Sequence, residues 1–161
     1  MIVPDYEHMP WHHSKEEFAS ETLFQRKPHV KSAIFGPDGH RVWAVWTHRF
    51  YEPPSETASM NTLHISRLVI ENEVLWESDL QVEALRAVLW AAQAEAAQWG
   101  LHSVKLWGPS TAVQEMVKRT GIEYRHQDRE EDEICSLRWY GGGSGLEDEV
   151  EWAGNEKYGW C

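Results

Sequence analysis

The chain has few cysteines, few basic residues and no long apolar run. Two cysteines, Cys135 and Cys161, in 161 residues make no disulfide framework, so a reducing, cytoplasmic setting is expected. Fifteen basic side chains stand against 26 acidic ones, for a formal net charge of −11. Such a balance repels nucleic acid and anionic bilayers, and neither is expected as a partner. No apolar run approaches the ~20 residues of a membrane span. The opening residues Met1 to Asp5 lack the basic and apolar regions of a secretory signal, and a terminal Cys161 leaves no prenylation box. HExxH, CxxC and GxSxG are absent, there is no internal repeat, and no Ser/His/Asp or Cys/His set can be assigned from order alone.

Large apolar side chains are present in quantity: 42% of residues are hydrophobic, and ten are tryptophan. At this length the chain suits one domain with a real core, about residues 8 to 140, and most of the tryptophans are expected to serve packing.

The most ordered stretch runs from Thr62 to Gly108. Thr62 to Ile70 is rich in β-branched and large apolar residues without Gly or Pro, as a strand requires. Asp79 is a candidate helix N-cap, and Val82, Leu85, Leu89, Ala92, Ala96 and Trp99 recur behind it at helical spacing until Gly100. Ser103 to Trp107 reads as a second strand. Strand, helix and strand of this length form a βαβ crossover with parallel strands, and ligands often bind beyond the carboxyl ends of such strands. Here that edge comprises Ile70 to Asp79 and Trp107 to Thr111.

Upstream, residues 8 to 27 read as a helix with Pro10 in its first turn and Trp11, Phe18, Thr22 and Leu23 as its apolar face. His12 precedes Glu16, and His13 precedes Glu17, by four residues. That spacing suits a metal or an ordinary helix ion pair; with no third ligand marked, no metal is expected. Val30 to Phe35 and Arg41 to Tyr51 flank Gly36 to Gly39, a hairpin, with the second strand apolar on both faces as a central strand is. Tyr51 to Ser59 is a Pro-broken loop. Downstream, Ser110 or Thr111 caps a short helix through Arg119 that Gly121 ends. Residues 125 to 133 form a charged connector, Glu133 to Tyr140 a closing strand and Gly141 to Gly145 a flexible turn; with no following Lys and no helix start, that turn is not a phosphate loop. The acidic tail from Leu146 to Cys161 carries Val150, Trp152, Tyr158 and Trp160 and is expected to pack on the domain or on a partner. The fold class that follows is α/β with an α+β character: a mixed, mainly antiparallel sheet with a βαβ unit and flanking helices.

The order hairpin, strand, helix, strand, short helix, closing strand resembles the GNAT acyltransferase fold. The segments His12 to Phe18, Arg41 to Thr47, Asn61 to Glu71, Ala91 to Gly100 and Asn155 to Cys161 resemble the C-terminal half of the fungal lysine N-acetyltransferase-like proteins, and the likeness runs from Ile2 to Cys161. Members of that family resemble a two-part protein whose N-terminal, GNAT-like part carries the Gly-rich acetyl-CoA signature. The resemblance implies a domain that supports N-acetylation of lysine or a related small cationic amine, with an N-terminal GNAT domain, or a second copy of itself, as protein partner.

Against that family pattern the cofactor machinery departs in three places. The segment Glu71 to Asp79, where a Gly-rich pyrophosphate cradle leads into a helix, contains no glycine and places Glu71, Glu73, Glu77 and Asp79 where a polyanion would lie. Val117 stands four residues before Gly121, where the family commonly has a proton-donating Tyr. The Asn often found before this helix is replaced around Pro109 and Ser110. No acetyl-CoA is therefore expected on this chain alone; the cofactor would come through a partner domain. Glu71, as general base or amine-binding carboxylate, and His64 are the candidate catalytic residues, and Trp76, Trp107 and Ser110 the candidate substrate-binding ones. Two other readings remain: a non-catalytic assembly module, and a small-molecule enzyme that reuses the former cofactor cleft.

Overall fold

The computed structural model describes residues 9–53, 60–127 and 157. Its elements are α1 (Met9–Phe24), β1 (Ser32–Phe35), β2 (Val42–Arg49), β3 (Thr62–Ile70), α2 (Asp79–Gln98), β4 (Ser103–Leu106) and α3 (Thr111–Thr120), with a 3-10 turn at Glu73–Leu75. The four strands lie in chain order. The β1–β2 and β2–β3 pairs are antiparallel, and the crossover through α2 makes β3–β4 parallel. The mixed α/β architecture is the one its periodicities predict. The expected closing strand, the Gly-rich turn, most of the Pro-broken loop and all of the tail but Lys157 lie outside the described residues. Among the described residues no helix is long and apolar enough to cross a membrane.

The core follows from the two periods. Val42, Ala44 and Trp46 of β2 and Leu63, Ile65 and Leu68 of β3 pack with Val82, Leu85, Val88, Ala92 and Ala96 of α2, and Val113 and Met116 of α3 complete the cluster. The hairpin turn depends on Gly36: its φ is +105°, and a Cβ there would lie 2.5 Å from the His40 carbonyl. α2 begins one residue earlier than expected. Ser78 is its N-cap, without a side-chain bond, and Asp79 is its first residue, where a carboxylate still favours the helix dipole.

A β-bulge decides where the sheet opens. Val45 pairs with Arg67, but Trp46 pairs with Ile65, so Ser66 is the extra residue on β3. The insertion resets the alternation, which is why Ile65 and Leu68, three residues apart, both face the core. Pairing with β4 ends at Ile65↔Leu106, one residue before the bulge. Beyond that point β3 continues to Ile70 without pairing to β4, and this end of the ladder is the strand gap of the βαβ unit. Ser66 sits at the bulge with its hydroxyl buried and without a partner.

The apolar face expected for α1 is on the outside. Trp11, Phe18 and Leu23 are exposed, Phe18 by 75%, while His12, Glu16 and Ser20 are buried. The cause is the short β1. Its pairing reaches β2 only as far as Val45, leaving the Trp46 to Arg49 edge of β2 with open backbone groups. The polar stripe of α1 and the segment before β1 supply partners: the Glu16 carboxylate accepts from the His48 N–H at 2.7 Å, His13 Nε2 lies 3.3 Å from the Trp46 carbonyl, and the Lys31 carbonyl accepts from the Trp46 N–H at 2.9 Å. A buried open edge costs more than two exposed aromatics, so the helix turns its polar side inward.

Candidate functional site

The gap between β3 and β4 is the place to look for chemistry, and the alternation of β3 selects its residues. Leu63 and Ile65 point to the core, so His64 points to the opposite face, flanked by Thr47 of β2 and Lys105 of β4. The residue is 2% exposed. His64 Nε2 lies 3.4 Å from the Tyr51 hydroxyl, and Nδ1 is buried without a hydrogen-bond partner. Trp107, the residue after β4, presents its ring to the His64 ring edge-on, with centroids 5.7 Å apart and planes at 84°. The ammonium of Lys157 stands over the Trp107 ring, 4.0 Å from its centroid.

The electrostatics keep this imidazole neutral. Burial, first, and the nearby charges of Lys157, Lys105 and Arg49 push His64 down from 6.5 to about 3. A ring held neutral this firmly is a weak base at neutral pH, but it is well suited to accept a hydrogen bond from a cation.

The other candidates sit elsewhere. The Glu71 carboxylate accepts from the backbone N–H groups of Gly39 at 2.8 Å and Arg41 at 3.1 Å, tying the end of β3 to the hairpin turn. Seven residues of strand separate it from His64, a distance of ~23 Å. Ser110 is the N-cap of α3, accepting from the Val113 N–H at 3.2 Å, and its hydroxyl also donates to Glu73. The half-buried Trp76 lends its carbonyl to Arg119, at 3.1 Å. Of the five residues singled out in the sequence, the structure brings His64 and Trp107 together and leaves Glu71, Trp76 and Ser110 apart from them.

Two of them, Trp76 and Ser110, nevertheless belong to one arrangement. The loop after β3 is tied to the loop after β4 by Ser110 to Glu73, and α3 is tied to that loop and to the start of α2 by Arg119 to the Trp76 carbonyl and Arg119 to Asp79 at 2.7 Å. The backbone N–H groups of Leu75, Trp76 and Ser78 point inward, to the carbonyls of Asn72, Glu73 and Leu75. A phosphate cradle needs such groups turned outward toward an anion. Here they are spent within the turn.

A second cluster is not legible in the sequence. His48 is fully buried between two carboxylates, with Nδ1 2.5 Å from Glu16 and Nε2 3.1 Å from Glu95. Two such contacts require two protons among the three groups. Lys31 completes the set, 3.4 Å from Glu16. The His–Glu spacing on α1 suggests pairs within the helix, yet Glu16 finds its histidine on β2, thirty-two residues away. The one available signal is Glu95, a carboxylate between Ala92 and Ala96 on the buried face of α2. Glu95 and Trp99 also line a cleft of about 310 Å³ with Arg26, Lys27 and His29. Among the described residues no group of three His, Cys, Asp or Glu is placed to hold a metal.

Residues 1–161 match the family described as LYC1 GNAT-like C-terminal domain. No curated protein sequence matches the chain. Among solved structures it is similar to wild-type TTHA1254 from Thermus thermophilus, with 15% identity over 80% of this chain and 93% of that one and a TM-score of 0.42. It is also similar to the aminoglycoside N-acetyltransferase AAC(6')-Iy, solved in complex with CoA, with 17% identity over 84% of this chain and 97% of that one and a TM-score of 0.44.

Proposed function

Because this chain belongs to the family of LYC1 GNAT-like C-terminal domains, we propose that it supports an N-acetyltransferase acting on lysine or a related amine. In this reading it shapes the amine side of the reaction, and a partner GNAT domain brings acetyl-CoA. The observation that carries the reading is the pairing of a neutral, buried His64 with Trp107 at the strand gap. An electron-rich indole face and an imidazole nitrogen without a partner are receptors for an alkylammonium, not for an anion. The acidic character of the whole chain adds a field that draws a cationic substrate in.

The cofactor side of the proposal rests on the loop from Glu71 to Asp79. Glu71 and Glu73 serve the hairpin and the α3 cap, Asp79 faces Arg119, and the turn N–H groups bond inward. Removing these bonds to admit a pyrophosphate would leave carboxylates beside phosphates. Isothermal calorimetry of acetyl-CoA against the chain alone is expected to give no binding at micromolar concentrations; a micromolar Kd would overturn the supporting role.

A further inference from the structure

Lys157 is an unusual residue to find buried. Lysine is rarely buried in full, because its ammonium must leave water, yet this residue is 2% exposed and is among the largest fully buried side chains. Its ammonium does not sit at random. It lies 4.0 Å from the centroid of Trp107, close enough to His64 to be a leading cause of that ring's neutrality. Trp107 and His64 are the two residues at the strand gap that suit an alkylammonium. A desolvated cation over an indole gains ~2 kcal/mol or more, which offsets part of the desolvation.

We propose that the Trp107–His64 site is a primary-ammonium site that the chain fills with its own Lys157, so that a substrate amine must displace Lys157 to enter. The inference rests on the amine-side reading above and adds an occupant and a mode of regulation to it. The geometry restricts the ligand class. An unbranched alkylammonium, such as a lysine side chain, presents the same head on the same slender stem as Lys157. An N-acetylated product is a neutral amide and lacks the charge that the indole face attracts. The site therefore discriminates substrate from product, and Lys157 returns when the acetylated amine leaves.

The test uses the full chain, with n-butylammonium as probe and the neutral N-butylacetamide as control. In the wild type, the Lys157 Cε protons under the ring current of Trp107 are expected upfield in the proton NMR spectrum. Saturating n-butylammonium moves them to the positions of a solvated lysine, and N-butylacetamide leaves them in place. In Lys157→Met, calorimetry is expected to give n-butylammonium binding about tenfold tighter than in the wild type, and adding W107L to that variant abolishes it. Equal affinities in the wild type and Lys157→Met, both lost with W107L, overturn self-occupancy while leaving the amine site standing. No n-butylammonium binding to either protein, with circular dichroism showing both folded, overturns both. Should Lys157→Met fail to fold, the wild-type NMR titration decides alone: Lys157 signals unmoved by n-butylammonium refute the proposal.

Discussion

Glu16 joins α1 to β2 and to the segment before β1 through one carboxylate. One of its oxygens accepts from the His48 backbone and meets the His48 ring, and the other lies 3.4 Å from the Lys31 ammonium. It has no access to solvent that would replace these partners. Removing one member of a buried charge cluster leaves the rest uncompensated, and the loss exceeds what the pair contributed. Glu16→Ala is therefore expected to destabilise the fold by ~3 kcal/mol, read from urea denaturation midpoints. Glu17, one residue on and partly exposed, also bonds Lys31 at 2.6 Å. Its pKa is lowered mainly by the Lys31 hydrogen bond, yet Glu17→Ala is expected to change stability by less than ~1 kcal/mol, as pairs within reach of solvent do. The contrast between two neighbouring glutamates comes from solvent access and from the buried His48 that only Glu16 meets, and the sequence spacing treats them alike.

At the level of elements, α3 is the clearest case of local chemistry. Ser110 caps it by accepting from the Val113 N–H, Lys118 and Arg119 stand in its last turn, and Gly121 ends it at φ +72°. Ser110→Ala removes the cap and the tie to Glu73 together, and thermal denaturation is expected to show a loss of ~1 kcal/mol or somewhat more. Amide hydrogen exchange at Val113 should accelerate in the same variant; unchanged protection there would mean that the Ser110 hydroxyl does not cap the helix. Elements whose ends carry such markers are legible in the sequence. The hairpin, β3, α2, β4 and α3 all fall within one or two residues of their expected limits, because Gly36, Gly39, Gly100 and Gly121 and the apolar periods are local signals. The position of α1 along the chain is legible too, but its rotation is not. Its inward face is set by the open edge of β2, a fact of tertiary structure that no helical period contains. The bulge at Ser66 is hidden for the same reason: a partner strand is needed to reveal an extra residue. At the gap, His64 and Trp107 stand in a relation that the βαβ reading makes visible, since both lie near the paired ends of its two strands. Glu71 looks equivalent from its place after β3, and only the hairpin turn beside it shows whose partner it is.

The molecule as a whole registers His64 through its pH dependence. Folded, this imidazole takes a proton only near pH 3, whereas unfolded it takes one near 6.5. Between those values the unfolded chain binds more protons, so stability rises with pH; the contribution is complete above about 6.5 and fades as the pH falls toward 3. From pH 6.5 to 5 the loss is about 2 kcal/mol. His64→Asn is expected to flatten that part of the curve, measured as urea midpoints across the same range. A slope identical to that of the wild type would show that His64 is not held neutral in the folded chain.

Strand order coincides with chain order, from β1 to β4. Each of these strands therefore finds its neighbour already laid down beside it, and a ribosome can deliver the described sheet as a ribbon, with α2 as its longest helical detour. Lys157 emerges after all of these. His64 and Trp107 both precede it, so in the arrangement proposed above the ammonium is the last of the three groups to leave the ribosome. The self-occupied site proposed above would thus be the last part of the fold to assemble.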